Sequence, residues 1–335
     1  MESYTRLQPI LSSPKRIVIT THHKPDGDAM GSSLALYHYL LLKGHSVHVI
    51  TPSDYPYFLH WLPGNAEVVV YPENMRKAKA LVEESELIFC LDFNNLGRIN
   101  ELGAAIAGSS SPKVLIDHHL DPQNFDQFRL WNAEASATAE LVYRFIAGMG
   151  DSGRINKAIA TCLYTGIMTD SGSFRFPSTT AAIHRIIADL IDAGAENSRI
   201  HELVYDTWTE SRLRFLGYCL SEKLEVLPEY RTALISLGRG ELQRFQVSTG
   251  DTEGIVNYAL SIYNIKFAAL IVDRTELVKL SLRSKGEFPA NEVAKKYFEG
   301  GGHHNAAGGQ SKEPLEAVVK KFKSILEEYK ELLNQ

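Results

Sequence analysis

Histidines and aspartates fall at four places within the first 170 residues of this chain where their charge needs an explanation. In HHKPDGDAMGSSL (22–34), His22, Asp26 and Asp28 crowd a Pro/Gly turn that runs straight into a helical pattern. Asp92 ends the apolar run LIFCLD, Asp117-His118-His119 ends KVLIDHH, and Asp170 lies in YTGIMTDSGSFRF. Each has a plain structural reading when taken alone. Asp26 or Asp28 can cap a helix starting near Met30, Asp92 a helix starting at Asn95, and Asp170 can end a helix. A single histidine such as His118 or His119 is more often hydrogen-bonded than a ligand. Together they read differently, because two histidines and four aspartates at one sheet edge repel as anions unless cations neutralise them.

The residue types narrow the cation. Carboxylates with some imidazole and no thiolate suit Mn²⁺ or Mg²⁺, with Fe or Co as alternatives, over structural zinc. The candidate ligands His22, Asp26, Asp28, Asp92, His118 and Asp170 exceed what one ion with an open position takes. They suit two ions roughly 3.5–4 Å apart that share a carboxylate, an arrangement that activates a water and clamps both oxygens of a displacement at phosphorus. A second signal lies near the C-terminus. EGGGHHNAAGG (299–309) places three glycines before His303, and successive N–H groups there can cup an anion, the plain alternative being a flexible loop. Arg283 in LSLRSKG ends an expected strand and can fork onto a phosphate, or is simply a surface arginine.

Short apolar, β-branched runs and amphipathic stretches alternate along the first part of the chain. RIVITT (16–21), SVHVIT (46–51), EVVVY (67–71), ELIFCLDF (86–93) and KVLIDHH (113–119) read as buried strands. Residues 30–44, 73–84 and 95–108 read as the helices between them. Strands alternating with helices mean βαβ units and a mainly parallel sheet, whose carboxyl ends bind ligands. His22, Asp92 and Asp117–His119 all sit at such ends. After residue 135 the pattern turns helical up to 226. A second α/β pattern starts near 230, with YRTALISL, KFAALIVDRT and ELVKLSLRS as strands. EGIVNYALSIYN, ANEVAKKYFEG and EPLEAVVKKFKSILEEYKELLNQ read as its helices. The expected architecture is α/β throughout: a larger N-terminal domain (1–189), a helical connector (190–227) and a smaller C-terminal α/β domain (228–335).

Length and composition bound the function. A chain of 335 residues suggests two domains, and 44% hydrophobic with 22% charged residues is ordinary for a globular protein. A formal charge of −5 argues against general duplex binding but allows a small anionic substrate held through cations. Cys90, Cys162 and Cys219 lie far apart in apolar runs and read as buried hydrophobes. No leader pattern and no apolar run of 18 residues is present, so a cytoplasmic protein without membrane association is expected.

The set H-x-x-P-D-G-D-A-x-G-S (22–32), Asp92, Asp117-His118-His119 and Asp170 resembles the four motifs of the DHH phosphoesterase superfamily. GGGHHNAAG (300–308) with LSLRS (280–284) resembles its associated C-terminal domain, so the likeness covers essentially the whole chain. Within the superfamily the chain is similar to the nano-RNase (oligoribonuclease) / pAp phosphatase group of NrnA type. That implies hydrolysis of short single-stranded RNA to mononucleotides and of 3′-phosphoadenosine 5′-phosphate (pAp) to AMP. It also implies a homodimer and two divalent ions, Mn²⁺ first, with Mg²⁺ or Co²⁺ as alternatives. His22, Asp26 and Asp92 would hold one ion; Asp28, Asp92, His118 and Asp170 the other, Asp92 bridging. His119 would orient a ligand or contact the phosphate. Arg283, His303 and the backbone of Gly301 and Gly302 would bind substrate, as would Arg98. Superfamily alternatives are a stand-alone cyclic-dinucleotide or pApA phosphodiesterase and a RecJ-like single-strand exonuclease. A non-catalytic nucleotide sensor would require a lost ligand, and none is missing.

Overall fold

The computed structural model describes residues 2–335, which divide into two compact units, one ending at Thr207 and the other spanning Trp208–Gln335. In the first unit the strands are β1 (Arg16–Thr20), β2 (Ser46–Thr51), β3 (Val69–Val70), β4 (Leu87–Leu91), β5 (Lys113–Asp117) and β6 (Phe128–Trp131). Its helices are α1 (Glu2–Ile10), α2 (Gly27–Leu42), α3 (Met75–Glu84), α4 (Leu102–Gly108), α5 (Thr138–Gly148), α6 (Lys157–Asp170), α7 (Ala181–Asp192) and α8 (Asn197–Tyr205). The strands form one parallel sheet in the order β3-β2-β1-β4-β5-β6. The order reverses between β1 and β4, and a crevice opens at such a point beyond the strands' carboxyl ends.

Both faces of this sheet are covered, which is why its strands read as unbroken apolar runs. Val18, Ile88, Cys90 and Leu115 pack on one side with Ala78, Val82, Leu102 and Ile106 from α3 and α4. Ile17, Ile19, Phe89 and Ile116 are also fully buried, and Phe89 meets Phe145 of α5 edge to face. All three cysteines are buried and free. Helices α2 and α6 approach backbone to backbone. A Cβ on Gly31 would lie 2.5 Å from the Cys162 carbonyl oxygen and 2.8 Å from the Gly166 nitrogen. That contact brings the start of α2, with Asp28, to the end of α6, with Asp170.

Several elements differ from the sequence expectation. Helix α2 begins three residues before Met30, because Asp26 accepts hydrogen bonds from the N–H groups of Asp28 and Ala29. The expected helix over 95–108 splits into a 3-10 turn (Leu96–Ile99) and α4, with Asn100 left-handed between them (φ 49°). EVVVY shrinks to a two-residue strand, and α1 and β6 form where neither was expected.

The second unit holds α9 (Glu210–Tyr218), β7 (Leu224–Leu227), β8 (Thr232–Leu237), α10 (Arg239–Arg244), α11 (Ile255–Leu260), β9 (Phe267–Asp273) and β10 (Val278–Ser284). Then come α12 (Ala290–Tyr297), β11 (Gly301–His303), β12 (Ala306–Ser311), α13 (Leu315–Ile325) and α14 (Lys330–Asn334). Its sheet is mixed, ordered β11-β12-β10-β9-β8-β7, with β8 and β9 parallel and the other neighbours antiparallel. The stretch 197–226 is therefore not all helix, since β7 starts at Leu224. Likewise the glycine-rich 299–309 segment forms a hairpin rather than a loose loop. Among the described residues, no helix is long and apolar enough to cross a membrane.

The α2–α6 contact yields a direct expectation. Gly31→Ala should cost about 1–3 kcal/mol by overpacking, because both atoms it strikes are backbone. A urea midpoint equal to wild type would show that the two helices can part without loss.

Candidate metal centre

The acidic and imidazole residues enter the crevice from the ends of adjacent strands. His22 follows β1, Asp92 follows β4, and Asp117, His118 and His119 run out of β5. Asp92 adopts a left-handed backbone (φ 64°), uncommon for any residue with a Cβ. Its amide still donates to the Ile116 carbonyl at 3.0 Å, so the turn comes after strand pairing ends. Asp28 is held from another helix: the Thr138 and Ala139 N–H groups at the start of α5 donate to its two oxygens at 2.6 and 2.8 Å. Those are otherwise unmet donors of a helix N-terminus, where a carboxylate is also favoured by the helix dipole.

The distances define overlapping groups that share Asp92. His22 Nε2 lies 3.8 Å from Asp26 Oδ1 and 3.4 Å from Asp92 Oδ2. His118 Nε2 lies 3.9 Å from Asp28 Oδ2, 3.5 Å from Asp92 Oδ1 and 3.5 Å from Asp170 Oδ2. His22, Asp26 and Asp92 are spaced as one ion's ligands would be, and so are Asp28, Asp92 and His118. Asp92 belongs to both groups through different oxygens. His119 Nδ1 donates to Asp117 Oδ1 at 2.8 Å and lies 3.6 Å from Asp92 Oδ1, so Asp92, Asp117 and His119 also cluster. The Nδ1 atoms of His22 and His118 donate to the carbonyls of His23 (3.0 Å) and Ala135 (3.1 Å). A carbonyl can only accept, so in the neutral ring each Nε2 keeps its lone pair toward the carboxylates, as metal-binding histidines require.

Electrostatics supply the test of whether a cation fits. Asp28 is 1% exposed, Asp92 2% and Asp117 0%. Burial, then Asp92 and Asp170, pushes Asp28 well above the usual carboxylate range. Burial opposes charge on Asp92 too, yet His118 and His22 hold it well below that range. Burial works against charge on His22, but Asp26 and Asp92 lift it to about 10, and His118 is likewise raised well above its ordinary value. Protons on imidazoles thus stand in for the positive charge that the carboxylates demand. The Nε2–oxygen separations of 3.4–3.9 Å are long for hydrogen bonds. They match roughly 3–4 Å between ligand atoms that share a cation with bonds of about 2.1 Å. The donor set, the left-handed turn at Asp92 and the charge demand all fit divalent metal binding.

Two contributors, Thr138 and Trp131, escaped the sequence reading, and Asp117 is singled out there without a role. Thr138 donates from Oγ1 to Asp92 Oδ1 at 2.9 Å as well as from its amide to Asp28. The available signal was Ser136-x-x-x-Glu140, where Glu140 accepts from the Ser136 amide (2.8 Å) just before the helix. Asp117 steadies His119, as above. Trp131, ending β6, donates from Nε1 to the His119 carbonyl at 2.6 Å. Arg98 sits in the 3-10 turn after Asp92, its carbonyl accepting from the His23 amide at 2.8 Å. Burial, followed by the Arg98 charge, lowers the His119 pKa.

In the second unit, Arg283 of β10 pairs with Ala306 of β12, which pairs with His303 of β11. Directly paired antiparallel residues share a face, so Arg283 and His303 lie on one side of the sheet. Their partners on that side, Ala306, Gly308 and Gly301, are small and leave it shallow. The opposite side carries the core beneath α12 and α13. Gly302 has φ 140°, and a Cβ there would come within 2.5 Å of the Ala306 carbonyl oxygen. Asn305 at the hairpin tip donates to Ser284 Oγ (2.8 Å) and the Gly286 carbonyl (2.9 Å), pinning the hairpin to the end of β10.

Comparison with known proteins gives matches to both halves. Residues 16–167 match the DHH family, N-terminal domain, and residues 234–335 match the DHHA1 domain. The chain is 31% identical to the bifunctional oligoribonuclease and PAP phosphatase NrnA of Thermus thermophilus, over 88% of this chain and 84% of that protein. It is 24% identical to the Bacillus subtilis protein of the same name, over 91% and 92%. A solved structure of an exopolyphosphatase-related protein from Bacteroides fragilis superposes with a TM-score of 0.95 at 43% identity, covering 100% of this chain and 98% of that one. With consecutive domains of one family matched in order and relatives aligned nearly end to end, this chain belongs to the DHH family of phosphoesterases.

Proposed function

We propose that this phosphoesterase hydrolyses short oligoribonucleotides to mononucleotides and removes a phosphate from pAp to give AMP, using two divalent ions, with Mn²⁺ preferred to Mg²⁺ or Co²⁺. The observation that carries the reading is Asp92, whose Oδ2 faces His22 at 3.4 Å and whose Oδ1 faces His118 at 3.5 Å. On this reading Asp92 bridges, His22 and Asp26 complete one ligand set, and Asp28, His118 and Asp170 complete the other. The names of the relatives from Thermus thermophilus and Bacillus subtilis support the substrate class. When bound, the ion pair polarises the phosphoryl group and activates the attacking water.

The chain's own residues do the rest. Carbonyl contacts at Nδ1 fix the His22 and His118 rings, so neither has to reorganise. His119, its Nδ1 donating to Asp117 and its pKa kept below the ordinary value by burial and then Arg98, keeps a lone pair at Nε2 that can accept from a ligand hydroxyl or water and orient it. Arg98 adds a guanidinium for the charge that develops on the phosphoryl oxygens. Arg283 and His303, with the Gly301 and Gly302 backbone, take a phosphate of the substrate. The metal-binding part then falls within 1–189 and the substrate-binding part within 228–335, joined by 190–227, and the chain works as a homodimer, which light scattering would reveal.

Asp92→Ala should reduce bound Mn²⁺ from two to at most one per chain and abolish turnover, read by elemental analysis and hydrolysis of labelled dinucleotide. A variant that keeps both ions would remove the bridging role. Across oligomers of two to twenty-four nucleotides, turnover should fall steeply with length, and Arg283→Ala should raise KM about tenfold or more. Length-independent cleavage, or preference for pApA over pAp, would shift the assignment elsewhere in the family. Metal binding should depend on pH in a defined direction. With His22 raised to about 10 in the metal-free cluster, a proton must leave before Nε2 can bind. Mn²⁺ affinity should therefore rise from pH 7 toward 10, with proton release visible in calorimetry across buffers of different ionisation enthalpy.

A further inference from the structure

Four adjacent strands end at the crevice, and three of them deliver the acids and imidazoles described above. The fourth, β6, delivers Trp131, which pairs in register with Asp117 of β5. Its indole is 42% exposed, although large aromatic rings are normally covered. The single polar atom of the ring is already used, donating to the His119 carbonyl at 2.6 Å. That bond fixes the plane of the ring and leaves the indole surface in solvent one residue from the cluster. Leu120, directly after His119, is 38% exposed. Its carbonyl is held by Asn94 Nδ2 at 2.7 Å, and the Asn94 carbonyl accepts from the Gln123 amide at 2.8 Å, so the segment is anchored. Two apolar side chains are thus presented to water on fixed backbone beside a site suited to phosphoryl chemistry.

We infer that Trp131 and Leu120 form a nucleobase subsite, with the indole as the surface on which a base of the substrate stacks. Every base has a π-face, so a stacking platform adds affinity without demanding one sequence, as a hydrolase of mixed short oligomers needs. The subsite rests on the hydrolase reading for its substrate but not for its ligand: a nucleotide should bind it whether or not any bond is cut. The edge of an indole held at Nε1 also sets how far a base can lie from the reacting phosphate. Trp131 is on this account a specificity residue.

The test compares kcat/KM for pAp with that for the base-free sugar bisphosphate, in wild type, Trp131→Ala and Trp131→Phe. Wild type should favour pAp, Trp131→Ala should reduce that preference about tenfold, and Trp131→Phe, which keeps a ring without the N–H, should retain most of it. Equal losses on both substrates in both variants would mean that Trp131 only props His119, and would overturn the inference. Binding is read separately by tryptophan fluorescence. AMP should quench wild type, ribose 5-phosphate should not, and Trp131→Phe should lose the AMP-dependent quenching that Trp61 and Trp208 cannot supply. Undiminished quenching in Trp131→Phe would also overturn it. Quenching by AMP in a protein that hydrolyses no phosphoester would instead refute the proposed reaction and leave the subsite standing.

Discussion

Mutual repulsion among buried aspartates is the constraint around which the first unit is arranged. Asp28, Asp92 and Asp117 are almost wholly out of solvent and share one crevice with Asp26 and Asp170. Removing ionised carboxylates from water is costly, and gathering them multiplies the cost unless positive charge lies among them. The fold answers in two ways. The α5 N-terminus gives both Asp28 oxygens a backbone donor, and the imidazoles of His22 and His118 surround Asp92. The second answer is provisional by nature, since a proton on an imidazole can be replaced by an ion that the same nitrogen binds.

Holding that arrangement falls to helix packing more than to the sheet. Asp28 and Asp170 approach one imidazole only because α2 and α6 touch along Gly31 and Gly166. The sheet supplies the converging strand ends, with Asp92 and Asp117 at the close of adjacent strands in fixed register. Side chains from distant parts of the sequence thus meet without a long ordered loop between them. In the second unit a similar economy holds: strand register alone puts Arg283 and His303 on one face.

Much of this was legible in the chain because the strands are buried on both faces. Unbroken β-branched runs such as RIVIT and LIFCL announce themselves, and the polar residues that end them stand out. The parallel sheet and the two-unit α/β plan follow from that pattern. The reading failed where the local signal was short or ambiguous. FRLW has four residues and alternates like an edge strand, so β6 and its terminal tryptophan passed unnoticed. Thr138 looked like an ordinary helix-start residue, because its partners Asp28 and Asp92 are far away in sequence. The glycines of EGGGHHNAAGG read as a backbone cup for an anion, with a flexible loop as the alternative. In the structure they let two strands of a tight hairpin close on each other, a matter of backbone clearance that composition does not reveal.

The left-handed turn at Asp92 narrows what evolution can place there. Asparagine and glycine tolerate that backbone but bring no negative oxygen to share, whereas glutamate brings the charge on a longer stem and a less permissive backbone. Two independent filters, one conformational and one chemical, therefore overlap on a single amino acid.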